Sequence, residues 1–97
     1  MLTVGRFTIS VGDPCLEGHF PDKPLVPGVV LLEHALALAA PHEWPEAIDA
    51  TKFLRSVLPG QVVEVACDRQ EQRVMLTCRV GGGIVMTATA RLARASS

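Results

Sequence analysis

Between Pro27-Gly28 and Pro41 runs VVLLEHALALAA, twelve residues without an internal breaker in which only Glu33 and His34 are not apolar. Its length and the flanking prolines predict a helix over 29–40. A helix that is apolar nearly all round has no face to give to water and must be covered on most sides. In a small chain, a helix this short gains such cover only if a sheet wraps it. The expectation is therefore α+β: an antiparallel sheet around one central hydrophobic helix. The 97 residues leave room for a single core, so the whole of 1–97 reads as one domain.

Strand signals lie on both sides of that helix. In VGRFTISV, residues 4–11, Phe7, Ile9 and Val11 fall on one face and Arg6, Thr8 and Ser10 on the other, the alternation of a half-buried strand. After the helix, PHEWPEAID reads as a connector with a turn of helix around Glu46 to Ile48. Strand-like runs follow at 50–58, leading through Pro59-Gly60 into QVVEVACD, at 73–80 after a polar turn, and at 84–92 after Gly81-Gly82-Gly83. The tail 95–97 is expected to fray.

Composition removes several classes of function. Nine Lys plus Arg stand against ten Asp plus Glu, and the basic residues are scattered, so neither a nucleic-acid surface nor a polybasic membrane arm is formed. The longest unbroken apolar stretch, Ala35 to Ala40, falls far short of the roughly 18–20 residues a bilayer demands, and no signal-peptide pattern opens the chain. A cytoplasmic protein is expected. Three cysteines, Cys15, Cys67 and Cys78, are odd in number and lack Cys-x-x-Cys spacing, which predicts buried reduced thiols and no zinc site.

The chemistry-bearing groups gather in one stretch. Residues 12–28 hold four prolines and three glycines, too many for regular structure, and a loop this long in a small domain is often functional. His19, Asp22, Lys23 and Cys15 lie in or beside it, with Glu33 and His34 on the helix that follows. Two readings of Glu33 stand open. It lies on a solvent-facing strip beside His34, or it is buried and keeps its proton, as a general acid must. A lone loop histidine such as His19 is by itself most often a surface or hydrogen-bonding residue. Gly28 opens the helix, where unpaired N–H groups and the positive end of the dipole can meet a ligand oxygen.

The run GHFPDKPLVPGVVLLEHALA closely resembles the signature of the hot-dog-fold (3R)-hydroxyacyl-[acyl-carrier-protein] dehydratases of the FabZ and FabA kind. There, G-H-F-P-x-x-P, two apolar residues and P-G precede a hydrophobic helix bearing Glu or Asp. A second patch, KFLRSVLPGQVVEV, is similar to that family's strand after the helix, and the likeness extends over about 4–93. The wording PLVPGVVLLEH is nearer the compact dehydratases of aryl-polyene clusters. The family usually has Gly where this chain has Asp22, a Gln after the acid, and a segment ahead of Leu2. Its tunnel lining, lid and chain-length preference are therefore not carried over.

The resemblance implies a hot-dog fold and loss of water from a 3-hydroxyacyl thioester, giving the trans-2-enoyl thioester in fatty-acid or polyene biosynthesis. It implies His19 as the base on the α proton, Glu33 as the acid on the 3-hydroxyl, and Gly28, Phe20, Pro27 and Val29 around the substrate. Neither metal nor redox cofactor is implied; the acyl group rides on the phosphopantetheine of an acyl carrier protein. It also implies a homodimer or larger assembly, with His19 and Glu33 of one site from different subunits, or a hetero-oligomer with another hot-dog subunit. His34 reads as a helix-surface residue and His42 as a loop residue, while Lys52, Arg55, Arg69 and Arg73 read as solvated charge or as contacts to an acidic carrier. A thioesterase on the same fold and a non-catalytic acyl-carrier-binding subunit are the alternatives.

Overall fold

The computed structural model describes residues 1–16 and 25–93. Strand β1 spans Leu2–Thr8 and a 3₁₀ turn Pro14–Leu16; helix α1 spans Gly28–Ala39; strands β2 to β5 span Pro45–Phe53, Val62–Gln70, Arg73–Val80 and Gly83–Leu92. The five strands form one antiparallel sheet in the order β1-β3-β4-β5-β2, so β1 and β2 are its edges.

The alternation in the three central strands builds the core. Val65 pairs with Cys78 and Cys78 with Met86, while Cys67 pairs with Leu76 and Leu76 with Ala88. These side chains share the sheet face that carries the helix, and Leu31 and Ala35 of α1 are buried with them. Burying each of the larger side chains contributes about 2 kcal/mol. The hairpin between β4 and β5 turns at Gly81 and Gly82, both at positive φ (58° and 83°), a backbone that few other residues accept.

Three expectations are corrected. β1 ends at Thr8, and a turn in which the Asp13 N–H donates to the Ser10 carbonyl (3.0 Å) rotates Val11 out to 72% exposure, although Ile9 is buried as its alternation requires. The stretch expected as a connector after the helix is strand from Pro45 onward, whereas 54–58, expected as strand, is loop. β2 pairs only with β5 and is broken by two register shifts, so its side chains show no clean alternation. Its proline sits at the first residue of an edge strand, where no ladder donor is lost from the middle of the sheet.

The third correction concerns cover. α1 makes its main contacts with β1, β3 and β4, over one half of the sheet. Val30, Leu32, Leu36, Leu38 and Ala39 are partly buried, but Val29 is 59% exposed and Ala37, Glu33 and His34 are also exposed. One copy of this chain covers one side of a helix that is apolar on nearly all sides.

Cys67 and Cys78 are free and buried, as expected, and burial pushes the Cys78 thiol up to about 11. The side chain of Cys15 and the tail 94–97 lie outside the described residues. A thiol alkylating reagent at about pH 8 should leave Cys67 and Cys78 unmodified in the folded protein and label both in urea. Peptide mapping checks this; labelling of Cys78 under native conditions would contradict its place in the core.

Candidate active site

Pro27 ends the loop and is the N-cap of α1, with no side chain capping the helix. The first carbonyl acceptor is that of Pro27, which takes the Val30 N–H at 3.0 Å and the Leu31 N–H at 3.3 Å. The N–H groups of Gly28 and Val29 come before those donors and open the helix at its positive end. A pocket of about 490 Å³ lies there, lined by Pro27, Gly28 and Val29 on one side and Phe53, Leu54 and Arg55 on the other. Three of the expected substrate residues thus meet in one depression.

Phe53 and Gly28 are matched in shape. A Cβ built on Gly28 would stand 2.7 Å from Phe53 Cζ and 2.8 Å from Cε1, so any larger residue there must displace the distal edge of the ring from the helix start. Phe53 comes from the inner end of β2, where it pairs with Met86. Arg55, two residues on, sends its guanidinium to the Val80 carbonyl (3.3 Å).

Glu33 lies further along the helix and lines a second depression of about 400 Å³ with Leu36, Ala37, Ala40, His42 and Trp44. Of the two readings of Glu33, the structure takes the exposed strip beside His34. His34 is also exposed, but its ring stacks on Phe7 with centroids 4.8 Å apart and planes at 16°. His42 lies in the turn after α1, as expected of a loop residue. His19, Phe20, Asp22 and Lys23 lie outside the described residues. Among the described residues, no three of His, Cys, Asp and Glu gather as metal ligands.

An ion pair braces the rim. Arg69 holds both carboxylate oxygens of Glu43, at 2.5 and 2.6 Å, and its Nε donates to the Glu71 carbonyl at 2.8 Å. Two-pronged geometry makes such a surface pair more than a passing contact. The Arg69 hydrogen bonds hold the Glu43 carboxyl below its ordinary value of 4.5, and Glu43 in turn raises Arg69. Of the basic residues read as free charge or carrier contacts, Arg69 is thereby committed to the rim. Phe53 sits inside the quoted KFLRSV motif, whose apolar-basic pattern marks no ligand contact; Trp44 sits in the turn between α1 and β2, where the connector reading holds but no pattern marks a ligand contact. Only the folded chain brings Phe53 beside the helix start.

Two outcomes follow. Gly28→Ala should lower stability by about 1–2 kcal/mol by displacing the Phe53 ring, and the loss should shrink in a Phe53→Ala background. A denaturant double-mutant cycle with zero coupling would remove the Gly28–Phe53 match. For Glu43 the depressed carboxylate stabilises the fold above about pH 4.5 and ceases to as pH falls through its folded value. Glu43→Gln should therefore lower Tm at about pH 7, and the difference should shrink as pH falls below the ordinary carboxylate range; a difference that does not shrink with falling pH would refute the pairing.

Residues 3–89 match the model of a family described as ApeI-like, ApeI dehydratase. A 3-hydroxyacyl-[acyl-carrier-protein] dehydratase FabZ from a Bradyrhizobium species is 38% identical over 74 residues, covering 63% of this chain and 49% of that protein. FabZ from Haemophilus influenzae is 36% identical over 85 residues, covering 75% of this chain and 57% of that protein. The chain thus spans about half the length of the curated relatives it matches. Among solved structures, the dehydratase heterocomplex ApeI:P from Xenorhabdus doucetiae superposes with a TM-score of 0.81 at 21% identity, covering 92% of this chain and 84% of that one. An uncharacterized protein from Erwinia carotovora subsp. atroseptica does so at 0.74 and 18%, covering 95% and 94%. The five-stranded antiparallel sheet with helix α1 packed on it is the hot-dog fold, and with its family model matched over nearly the whole length the chain belongs to the ApeI-like dehydratases.

Proposed function

We propose that this chain removes water from a (3R)-hydroxyacyl thioester carried on an acyl carrier protein, giving the trans-2-enoyl thioester. The observation that carries the reading is the uncapped helix start at Gly28, with its pocket, standing one and a half turns ahead of Glu33 on the same helix. At about 1.5 Å per residue the two are roughly 7 Å apart along the axis, a span suited to a thioester carbonyl and a hydroxyl two carbons away with its donor side chain. Family membership supports the reaction class.

The chemistry divides among three groups. An α proton beside a thioester is a weak acid, so the enolate needs help as it forms, and the Gly28 N–H donates to its oxygen. His19 takes the α proton. Glu33, on the helix side that the proposed second subunit would cover, gives a proton to the 3-hydroxyl as the C3–O bond breaks, and water departs. Proton return from His19 to Glu33, directly or through water, resets the site. Neither metal nor redox cofactor enters; phosphopantetheine carries the substrate.

Assembly completes the site in this reading. The exposed β2 edge and the uncovered side of α1 favour a homodimer or larger homo-oligomer with His19 and Glu33 contributed by different subunits, burying a helix face that one chain leaves wet. A hetero-oligomer with another hot-dog subunit is the second arrangement, favoured by the heterocomplex that shares the fold. The cytoplasm, where the carrier protein works, is the location proposed. Among the described residues no helix is long and apolar enough to cross a membrane.

Incubation with 3-hydroxyacyl carrier protein followed by mass spectrometry should reveal loss of water. Loss of the acyl group would indicate a thioesterase, and no change with retained carrier binding a non-catalytic subunit. His19→Ala and Glu33→Gln should each lower turnover about 10²- to 10⁴-fold; near-parental turnover in either would sink the assignment. For a homodimer, co-refolding the two variants in equal amounts should restore roughly a quarter of parental activity, because mixed dimers then hold one intact site. Mixed dimers verified by a mass tag yet inactive would place both residues in one chain.

A further inference from the structure

We propose that Arg55 is a positioning residue for the reaction: it clasps the β4–β5 hairpin and so holds the Phe53 ring against the helix start, where the ring keeps water from the Gly28 N–H. The proposal rests on the dehydratase reading above. One wall of the pocket at the helix start is Phe53, Leu54, Arg55 and Ser56, the stretch in which β2 ends and the following loop begins. Burial does not hold this wall. Phe53 is 52% exposed and Leu54 55%, and the next residue sealed in the core is Val57, whose carbonyl accepts the Val26 N–H at 2.9 Å. Beyond the last pair of β2, the backbone of the wall hangs on one acceptor, the Val85 carbonyl, which takes the Leu54 N–H at 2.8 Å and the Arg55 N–H at 3.4 Å. A half-exposed ring at the end of an edge strand needs a further tie to keep one position.

That tie is the Arg55 side chain. β2 pairs with β5 and β5 with β4, so Arg55, just past the end of β2, must cross β5 to reach the Val80 carbonyl of β4, to which its guanidinium donates at 3.3 Å. It crosses at Gly83, the residue that pairs with Val80. A Cβ built on Gly83 would collide with Nη2 of Arg55. Gly81 and Gly82 answer to their positive φ, but Gly83 does not lie in that region, so its missing side chain serves the passage of the guanidinium. Gly28 gives Phe53 a notch of the same kind. Two side chains of one tripeptide therefore lie in the notches of two glycines, one on the helix and one on the hairpin. The second fastens the pocket wall to an inner strand. The consequence for the reaction is electrostatic. N–H groups at a helix start stabilise a developing oxyanion most when they are fixed and water is kept off them, and the Phe53 ring fills one side of that approach. Release of the clasp admits water beside the Gly28 N–H, and the loss falls on the chemical step rather than on substrate binding.

The test measures kcat and KM on a 3-hydroxyacyl carrier protein and on the matching pantetheine thioester. Arg55→Ala should lower kcat about tenfold on both substrates, with KM changed by less than about twofold. Gly83→Ala leaves the charge of Arg55 in place and only evicts its fork from the notch. It should lower kcat to the same degree, and the double variant should be no worse than either single one. Arg55→Lys should recover part of the kcat, because an ammonium can still reach a carbonyl but lacks the planar fork. A residue that only docks the carrier by charge would give another pattern: KM raised by Arg55→Ala on the carrier-borne substrate alone, and Gly83→Ala like the parent. That pattern overturns the proposal, as does a lower Tm with kcat unchanged in both single variants. A readout free of turnover is fluorine NMR of protein carrying para-fluorophenylalanine at its three Phe positions, with Phe53→Leu identifying the Phe53 resonance. That resonance should move and sharpen in Arg55→Ala and in Gly83→Ala while the other two stay in place. A Phe53 resonance identical in the parent and both variants overturns the proposal. Movement as expected in a protein that dehydrates neither substrate supports the clasp on Phe53 and removes the dehydratase reading instead.

Discussion

Leu31 and Ala35 of α1 are sealed against a sheet face of Val63, Val65, Leu76, Cys78 and Met86, and every other feature of the molecule is arranged around that contact. It orients a helix whose remaining residues are also mostly apolar, so one side is spent on the chain's own core and the opposite side faces outward. The desolvated side supplies the stability of the fold. The outward side carries Val29, Glu33 and Ala37, and with them both depressions. A more amphipathic helix would seal the same core but would line no apolar groove. The hydrophobicity that looked excessive for one small domain is the material of the site and of the surface proposed to meet a second subunit.

In the proposed reaction, order along the helix becomes order along the substrate. An uncapped N-terminus suits a developing negative charge, because its N–H groups and dipole are held in place before the charge appears. Pro27 removes a side-chain competitor at the cap, and Gly28 allows Phe53 to lie against the first turn. The same helix carries Glu33, the proposed acid, about one and a half turns further on. At its far end the Glu43–Arg69 pair fixes the segment from which Trp44 projects. Rigid placement of groups by one short helix avoids the entropic cost of ordering separate loops on binding.

Much was legible before folding. The apolar run bounded by Pro27 and Pro41, and the alternation of Val63, Val65, Val74, Leu76, Met86 and Ala88, reflect a physical period written directly in the residues: 3.6 for the helix and two for strands. Those signals determine the α+β class, the central helix, the three inner strands and the Gly81-Gly82 hairpin. The P-G step, the helix it opens and Glu33 within it were legible for the same reason, as were the family motifs around them.

Other features were decided only by tertiary structure. Pro45–Phe53 is strand because β5 offers it a free edge, and an edge strand with two register shifts has no alternation to read. Val11 points outward because the chain turns after Ser10. Glu33 is exposed because the helix lies over β1, β3 and β4 and leaves its other side uncovered, a matter of packing angle on which the helical pattern is silent. Phe53 reaches the start of the helix from the far end of β2, and long-range placement of that kind has no local period. Residue chemistry set which groups were available, and the uneven cover of one apolar helix decided which of them face outward.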